Sequence, residues 1–244
     1  MVDTRNRTWR SRLLGLGGAA MLAVAAGTAN AAVYNVSTDF SVAFNPNGVW
    51  SYGSETLLGG SLTLYNSNSC AVSGVIQGWC SSFAGIPVDF NNPTGATINF
   101  SSVTVPAHTA AFHPGPSGEF SVYRFTALVA GTYALSTSFF PDDISPGGTD
   151  VHVLDNGVSL FTGVVDGANS PNYTNSALIL AAGDRIDFAL GFGADGNYYS
   201  DSTGLTATLT TSASAVPEPA SLALLGSGLL TLVLGKRLRS CKQV

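Results

Sequence analysis

The central stretch of the chain, residues 33–215, is expected to fold as an all-β, jelly-roll-like β-sandwich. Three observations predict this. No convincing amphipathic helix runs through it. Short alternating runs rich in Val, Thr, Tyr and Phe are punctuated by Gly, Asn, Asp and Pro. About eleven such runs can be counted, too many for one open sheet and suited to two packed sheets.

Residues 1–31 are set aside first. Arg5, Arg7, Arg10 and Arg12 form a basic start, Leu13 to Ala26 is an apolar run, and Ala29-Asn30-Ala31 supplies a small-x-small cleavage site. That order is expected of a secretory signal peptide. Ser11 separates Arg10 from Arg12, so there is no twin-arginine pair and Sec export is expected. Cleavage leaves a body of about 183 residues, enough for one domain with a sizeable core.

In the body, residues 61–65, 120–127, 132–139, 185–190 and 203–211 alternate best. Tyr133, Leu135, Thr137 and Phe139 should share one face, as should Ile186, Phe188 and Leu190, with Asp187 turned outward. Residues 151–154 and 158–161 flank Asp155-Asn156-Gly157, a hairpin signal because Asn-Gly readily takes positive φ. Cys70 and Cys80 lie ten residues apart, and an oxidising compartment favours a disulfide between them. No His lies within twenty-five residues of either sulfur, so a metal site there would lack ligands.

The tail breaks the pattern. Pro217 and Pro219, on either side of Glu218, prevent continuation of helix or strand. Residues 220–235 carry no charge and are leucine-rich on every face, and Lys236, Arg237 and Arg239 follow. Sixteen residues make a helix of roughly 24 Å against a bilayer core of about 30 Å. One C-terminal transmembrane helix is therefore expected, its basic end cytoplasmic and the body outside. Cys241 falls beyond it.

This tail resembles the PEP-CTERM sorting signal: Pro217-Glu218-Pro219, a short hydrophobic helix and a terminal basic cluster occur in that order. The resemblance makes residues 216–240 a sorting and anchor segment. It implies an exosortase-type sorting enzyme as partner and membrane anchorage through the helix before sorting. The final place would be the cell surface or extracellular matrix of an exopolysaccharide-producing Gram-negative bacterium. Tails of this type are also labelled ice-binding protein C-terminal domains, but the Thr206, Thr208, Thr210 row is ordinary strand patterning. Segments at 44–53, 113–115, 150–153 and 183–188, with 201–205, resemble a domain recurrent in PEP-CTERM cargo. The last of these is similar to the closing strands of galactose-binding-like jelly rolls.

The formal charge of −5 hides a segregation. Eight of ten Lys and Arg lie in the two ends, and the body holds thirteen acids against Arg124 and Arg185, a net −11 without lysine. Such a surface repels nucleic acid and anionic headgroups, which excludes nucleic-acid binding, and attracts divalent cations.

Asp195, Asn197 and Asp201, with the Tyr199 carbonyl between them, offer oxygens to a structural Ca²⁺; Asp142, Asp143 and Asp150 are a second cluster. Thr206 stands where an EF-hand needs Glu, so that motif is absent, and an Asp/Asn turn is the alternative reading. No other cofactor is expected. The spacing of His108, His113 and Glu119 does not match a cupin. Glu55 and Glu119 are the body's two glutamates, but nothing places them opposite one another as a glycosidase requires. Without a nucleophile elbow or phosphate loop, no enzyme is expected.

Aromatics give the remaining lead. Trp50, Tyr52, Tyr198 and Tyr199 are candidate sugar-docking faces. Trp50 and Tyr52 lie two apart, so the alternative is a shared buried strand face. The expected role is a surface-sorted structural or adhesive protein of an exopolysaccharide or biofilm matrix. The alternative is a carbohydrate-binding module, and behind that a small glycan-cleaving enzyme.

Overall fold

The computed structural model describes residues 31–70, 74–81, 85–145, 147–167 and 169–212. Residues 1–30, which hold nearly all of the expected signal peptide, and the tail from residue 213 lie outside them. The described residues fall in one compact unit, Ala29–Ala215. In chain order the strands are β1 (Val33–Asn35), β2 (Trp50–Glu55), β3 (Thr63–Leu64), β4 (Gln77–Cys80) and β5 (Val88–Asn92). β6 (Ile98–Phe100), β7 (Val103–Val105), β8 (Thr109–His113), β9 (Phe120–Thr126) and β10 (Gly131–Pro141) follow. The last are β11 (Thr149–Asp155), β12 (Val158–Val165), β13 (Asn172–Leu180), β14 (Arg185–Leu190) and β15 (Thr203–Thr211). Four of the fifteen, β1, β3, β6 and β7, are two or three residues long and too short to show alternation, which accounts for the lower count expected from the sequence.

Two antiparallel sheets pack face to face. One runs β13-β10-β15-β8-β5-β4, with β1 also paired to β15; the other runs β12-β11-β14-β9-β2-β3. The expected jelly-roll-like sandwich is thus observed as an all-β, two-sheet body. Tyr133, Leu135, Thr137 and Phe139 are buried on the inner face of β10, and Ile186, Phe188 and Leu190 on that of β14. Asn156 (φ 50°) and Gly157 (φ 83°) close the β11–β12 hairpin as the Asn-Gly pair requires.

The outer faces are also covered. The β6–β7 hairpin lies on the first sheet, where Val103, Val105 and Phe100 join Val88, Phe90 and Ala111 in a second cluster. On the second sheet the β2–β3 connection crosses the strands, with Leu62 packed beside Val122, Leu154 and Ala189. A Cβ on Gly59 would stand 2.7 Å from the Gly157 carbonyl, so this crossing depends on glycine at its contact with the far hairpin. Beneath it Arg124 donates from Nε to Asp187 Oδ1 (2.6 Å) and from Nη2 to Asp187 Oδ2 (2.8 Å) and Glu55 Oε1 (2.9 Å). Asp187 does turn outward, but it is not solvated there: it is 1 % exposed. Cys70 and Cys80 form the expected disulfide, with Cα atoms 6.0 Å apart. No helix among the described residues is long and apolar enough to cross a membrane, and the apolar run of the tail is outside them.

Candidate functional site

Backbone pairing brings three segments together at one end of the first sheet. Val103 bridges Asp143, Thr104 N donates to the Asp142 carbonyl (2.7 Å) and Ile144 N to that of Ser102 (3.0 Å), tying the β6–β7 hairpin to the segment after β10. Asp142 N donates to the Ser202 carbonyl (3.0 Å), which brings in the loop before β15. Between them opens a groove of about 260 Å³ whose wall includes Phe90, Phe100, Ser102, His113, Asp143, Tyr198, Tyr199, Ser200 and Ser202.

Tyr198 and Tyr199 stack with centroids 4.5 Å apart, and Tyr198 meets the His113 ring edge-on at 6.2 Å. Tyr199 is 68 % exposed. Asp143 Oδ2 accepts from Ser102 Oγ (3.0 Å), and His113 Nδ1 lies 2.9 Å from the Pro114 carbonyl. Burial holds the His113 pKa below its usual value, so the ring is neutral at pH 7. A tyrosine face beside hydroxyls and a carboxylate is suited to an uncharged polyol. A wider depression of about 340 Å³ on the outer face of β10, β13 and β15 is lined by Ser136, Thr174, Asn175, Thr208 and Thr210 without any aromatic side chain.

Carboxylates gather behind the tyrosines. Asp201 is 1 % exposed and neither of its side-chain oxygens has a hydrogen-bond partner. Burial, then the charges of Asp195, Asp143 and Asp150, push its pKa up to about 7. Asp142 is similarly buried and unpartnered, and burial raises it to about 8. Asp195 and Asn197 bond each other, and Asn197 Oδ1 accepts from Tyr199 N (3.0 Å). Of the three Ca²⁺ ligands expected from the sequence, Asp201 alone keeps free oxygens; the other two hold the turn. Asp150 is engaged by Gly193 N (2.6 Å) and His152 Nε2 (2.7 Å).

The other candidates separate from this site. Trp50 and Tyr52 are both fully buried between the sheets, Trp50 against Phe125 and Phe188 and Tyr52 against Phe40 and Tyr123. This corrects their reading as sugar-docking faces, because period-two alternation on β2 points both inward. Glu55 is held by Arg124 and Gly59 N, and Glu119 accepts from Ser117 N in a turn. His113 and Ser102 belong to the groove although no motif marks them for sugar binding; the fold brings them to the same wall as Tyr198.

Comparison with solved structures finds carbohydrate-binding modules at low similarity. CBM51 from Clostridium perfringens GH95, solved with methyl-galactose, is 14% identical over 48% of this chain and 86% of its own, with a TM-score of 0.35. A family 35 carbohydrate-binding module from Clostridium thermocellum is 13% identical over 48% and 87%, with a TM-score of 0.30. CBM36 in complex with calcium and xylotriose is 17% identical over 48% and 92%, with a TM-score of 0.28. Comparison with curated proteins finds no match. At the C-terminus the match is to a motif, and it spans the residues that the Pro-Glu-Pro reading singled out. The chain carries a PEP-CTERM protein-sorting motif at residues 215–239.

Proposed function

We propose that this chain is an exported, surface-sorted, non-catalytic β-sandwich that acts as an adhesive or structural element of an exopolysaccharide matrix, docking polysaccharide in the Tyr198–Tyr199 groove. The exposed tyrosine stack beside Ser102, Asp143 and Ser202 carries the reading. A flat apolar ring face takes the C–H side of a sugar, while nearby hydroxyls and a carboxylate bond its hydroxyl groups. The glutamates that a glycosidase would use are held in an ion pair and a turn, which supports a binding role.

Retention of the chain on a panel of insoluble and gel-embedded neutral polysaccharides tests the groove. At least one should retain it, and Tyr199→Ala should weaken that retention about tenfold, equivalent to 1.4 kcal/mol. Tyr199 is largely exposed, so the substitution should leave the melting temperature nearly unchanged. No retention by any polysaccharide, or retention indifferent to Tyr199, overturns the reading.

The sorting motif supports a second expectation, namely cleavage by an exosortase near Pro217. Protein recovered from the surface of an exosortase-bearing host should have an intact mass lacking residues 220–244. Finding the whole apolar segment on the released protein rules that processing out.

A further inference from the structure

The Asp201 carboxylate is an anomaly for an acidic protein. It is almost completely enclosed and neither oxygen accepts a hydrogen bond, although burying a carboxylate without partners is costly. Asp195, Asp143 and Asp150 stand close enough to act on it electrostatically, so the local field is negative. Arg124, one of two cations in the body, is engaged with Glu55 and Asp187 on the other sheet.

Beside that carboxylate is a second oxygen. Gly147 has no side chain, and a Cβ there would press on Asp201 Oδ1 and lie 3.4 Å from the Tyr199 carbonyl oxygen. Two oxygens therefore meet at Gly147, and Asp201 Oδ1 takes the position that a side chain there would need. Gly147 N donates to the Ser200 carbonyl (3.2 Å), so the segment bearing this glycine is tied to the loop that bears the oxygens.

We propose that the loop before β15 binds Ca²⁺, with the Asp201 carboxylate and the Tyr199 carbonyl as its protein ligands. The two acidic clusters that are far apart in sequence then act together: Asp201 ligates, while Asp143 and Asp150 add negative field with their own oxygens occupied. Among the described residues no three His, Cys, Asp or Glu side chains gather as a metal-binding group. Water entering with the ion completes the shell, which flexible Ca²⁺ coordination accepts, and the dissociation constant expected is on the order of 0.1–1 mM, as in extracellular modules. Because Tyr199 supplies the carbonyl, the ion would order the exposed ring of the groove from behind. The site does not depend on what the groove binds.

Calorimetric titration of the chelator-stripped full chain with CaCl₂ tests this, alongside thermal melts with CaCl₂, with MgCl₂ and with NaCl at matched ionic strength. Saturable Ca²⁺ binding is expected, with a melting temperature raised by about 5–10 °C at a hundredfold excess over the dissociation constant. Asp201→Asn, close to isosteric, should weaken binding at least tenfold. Asp155→Asn, at the opposite end of β11 from Asp150, removes the same charge and should leave binding intact. Absence of saturable heat in the unsubstituted chain overturns the proposal whatever the variants do. So does an equal response to all three salts, or equal loss in the two variants.

Discussion

Replacing Arg124 with Met should cost about 3–5 kcal/mol, one of the two largest losses expected of any single change in this fold. The guanidinium holds Asp187 through two nitrogens and Glu55 through one, and all three groups sit beneath the β2–β3 crossing. Burial, and then the neighbouring Asp187 charge, already raise the Glu55 pKa despite the arginine. Methionine fills much of the volume but leaves two enclosed carboxylates without a counter-charge. The Glu55 pKa then rises further, so the native state binds more protons than the unfolded chain. Its stability then falls as pH rises through that raised value. The deficit should accordingly be smaller at pH 4–5 than at pH 8. Denaturant unfolding at both pH values checks the sign, and a loss independent of pH would assign the effect to packing alone.

Trp50→Ala should cost a similar amount, about 3–5 kcal/mol, lowering the melting temperature by roughly 10 °C or more. Its indole is fully enclosed, lies 5.7 Å from the Phe125 ring and 6.3 Å from that of Phe188, and donates from Nε1 to Asp39 Oδ2 at 3.3 Å. Alanine leaves a cavity at the centre of the sandwich and removes a donor from Asp39. A melt checks the effect. A melting temperature within about 2 °C of the unsubstituted chain would place the indole at the surface after all.

How far the sequence was legible differs between fold and site. The bounds of β14 and β15 coincide with the alternating runs 185–190 and 203–211, because each has one face in the core and period-two patterning reports that directly. Trp50 and Tyr52 were ambiguous for the same reason. Alternation states that they share a face but not whether that face meets another sheet. Alternation turns Asp187 outward, as observed, but does not report that it is enclosed there. The crossing that encloses it comes from residues 56–62, whose packing on a second face leaves no periodic trace. Asp201 lies some fifty residues from Asp150 and Asp143 in the chain. Their proximity follows from β15 pairing with β10 and from the links between Asp142, Ser202, Gly147 and Ser200, which local sequence does not encode.

The enclosure of Arg124 also shapes how the protein meets other molecules. With that guanidinium internal, Arg185 is the one exposed Lys or Arg among the described residues. Outwardly the body is a polyanionic colloid almost without cationic spots. Acidic polymers in a matrix would repel it at long range, over about 10 Å at 0.1 M salt. Attachment then has to work at contact distance, through uncharged ring-to-hydroxyl docking or a shared divalent ion. Raising ionic strength, which loosens adhesins that rely on basic patches, would bring this one closer to its surroundings.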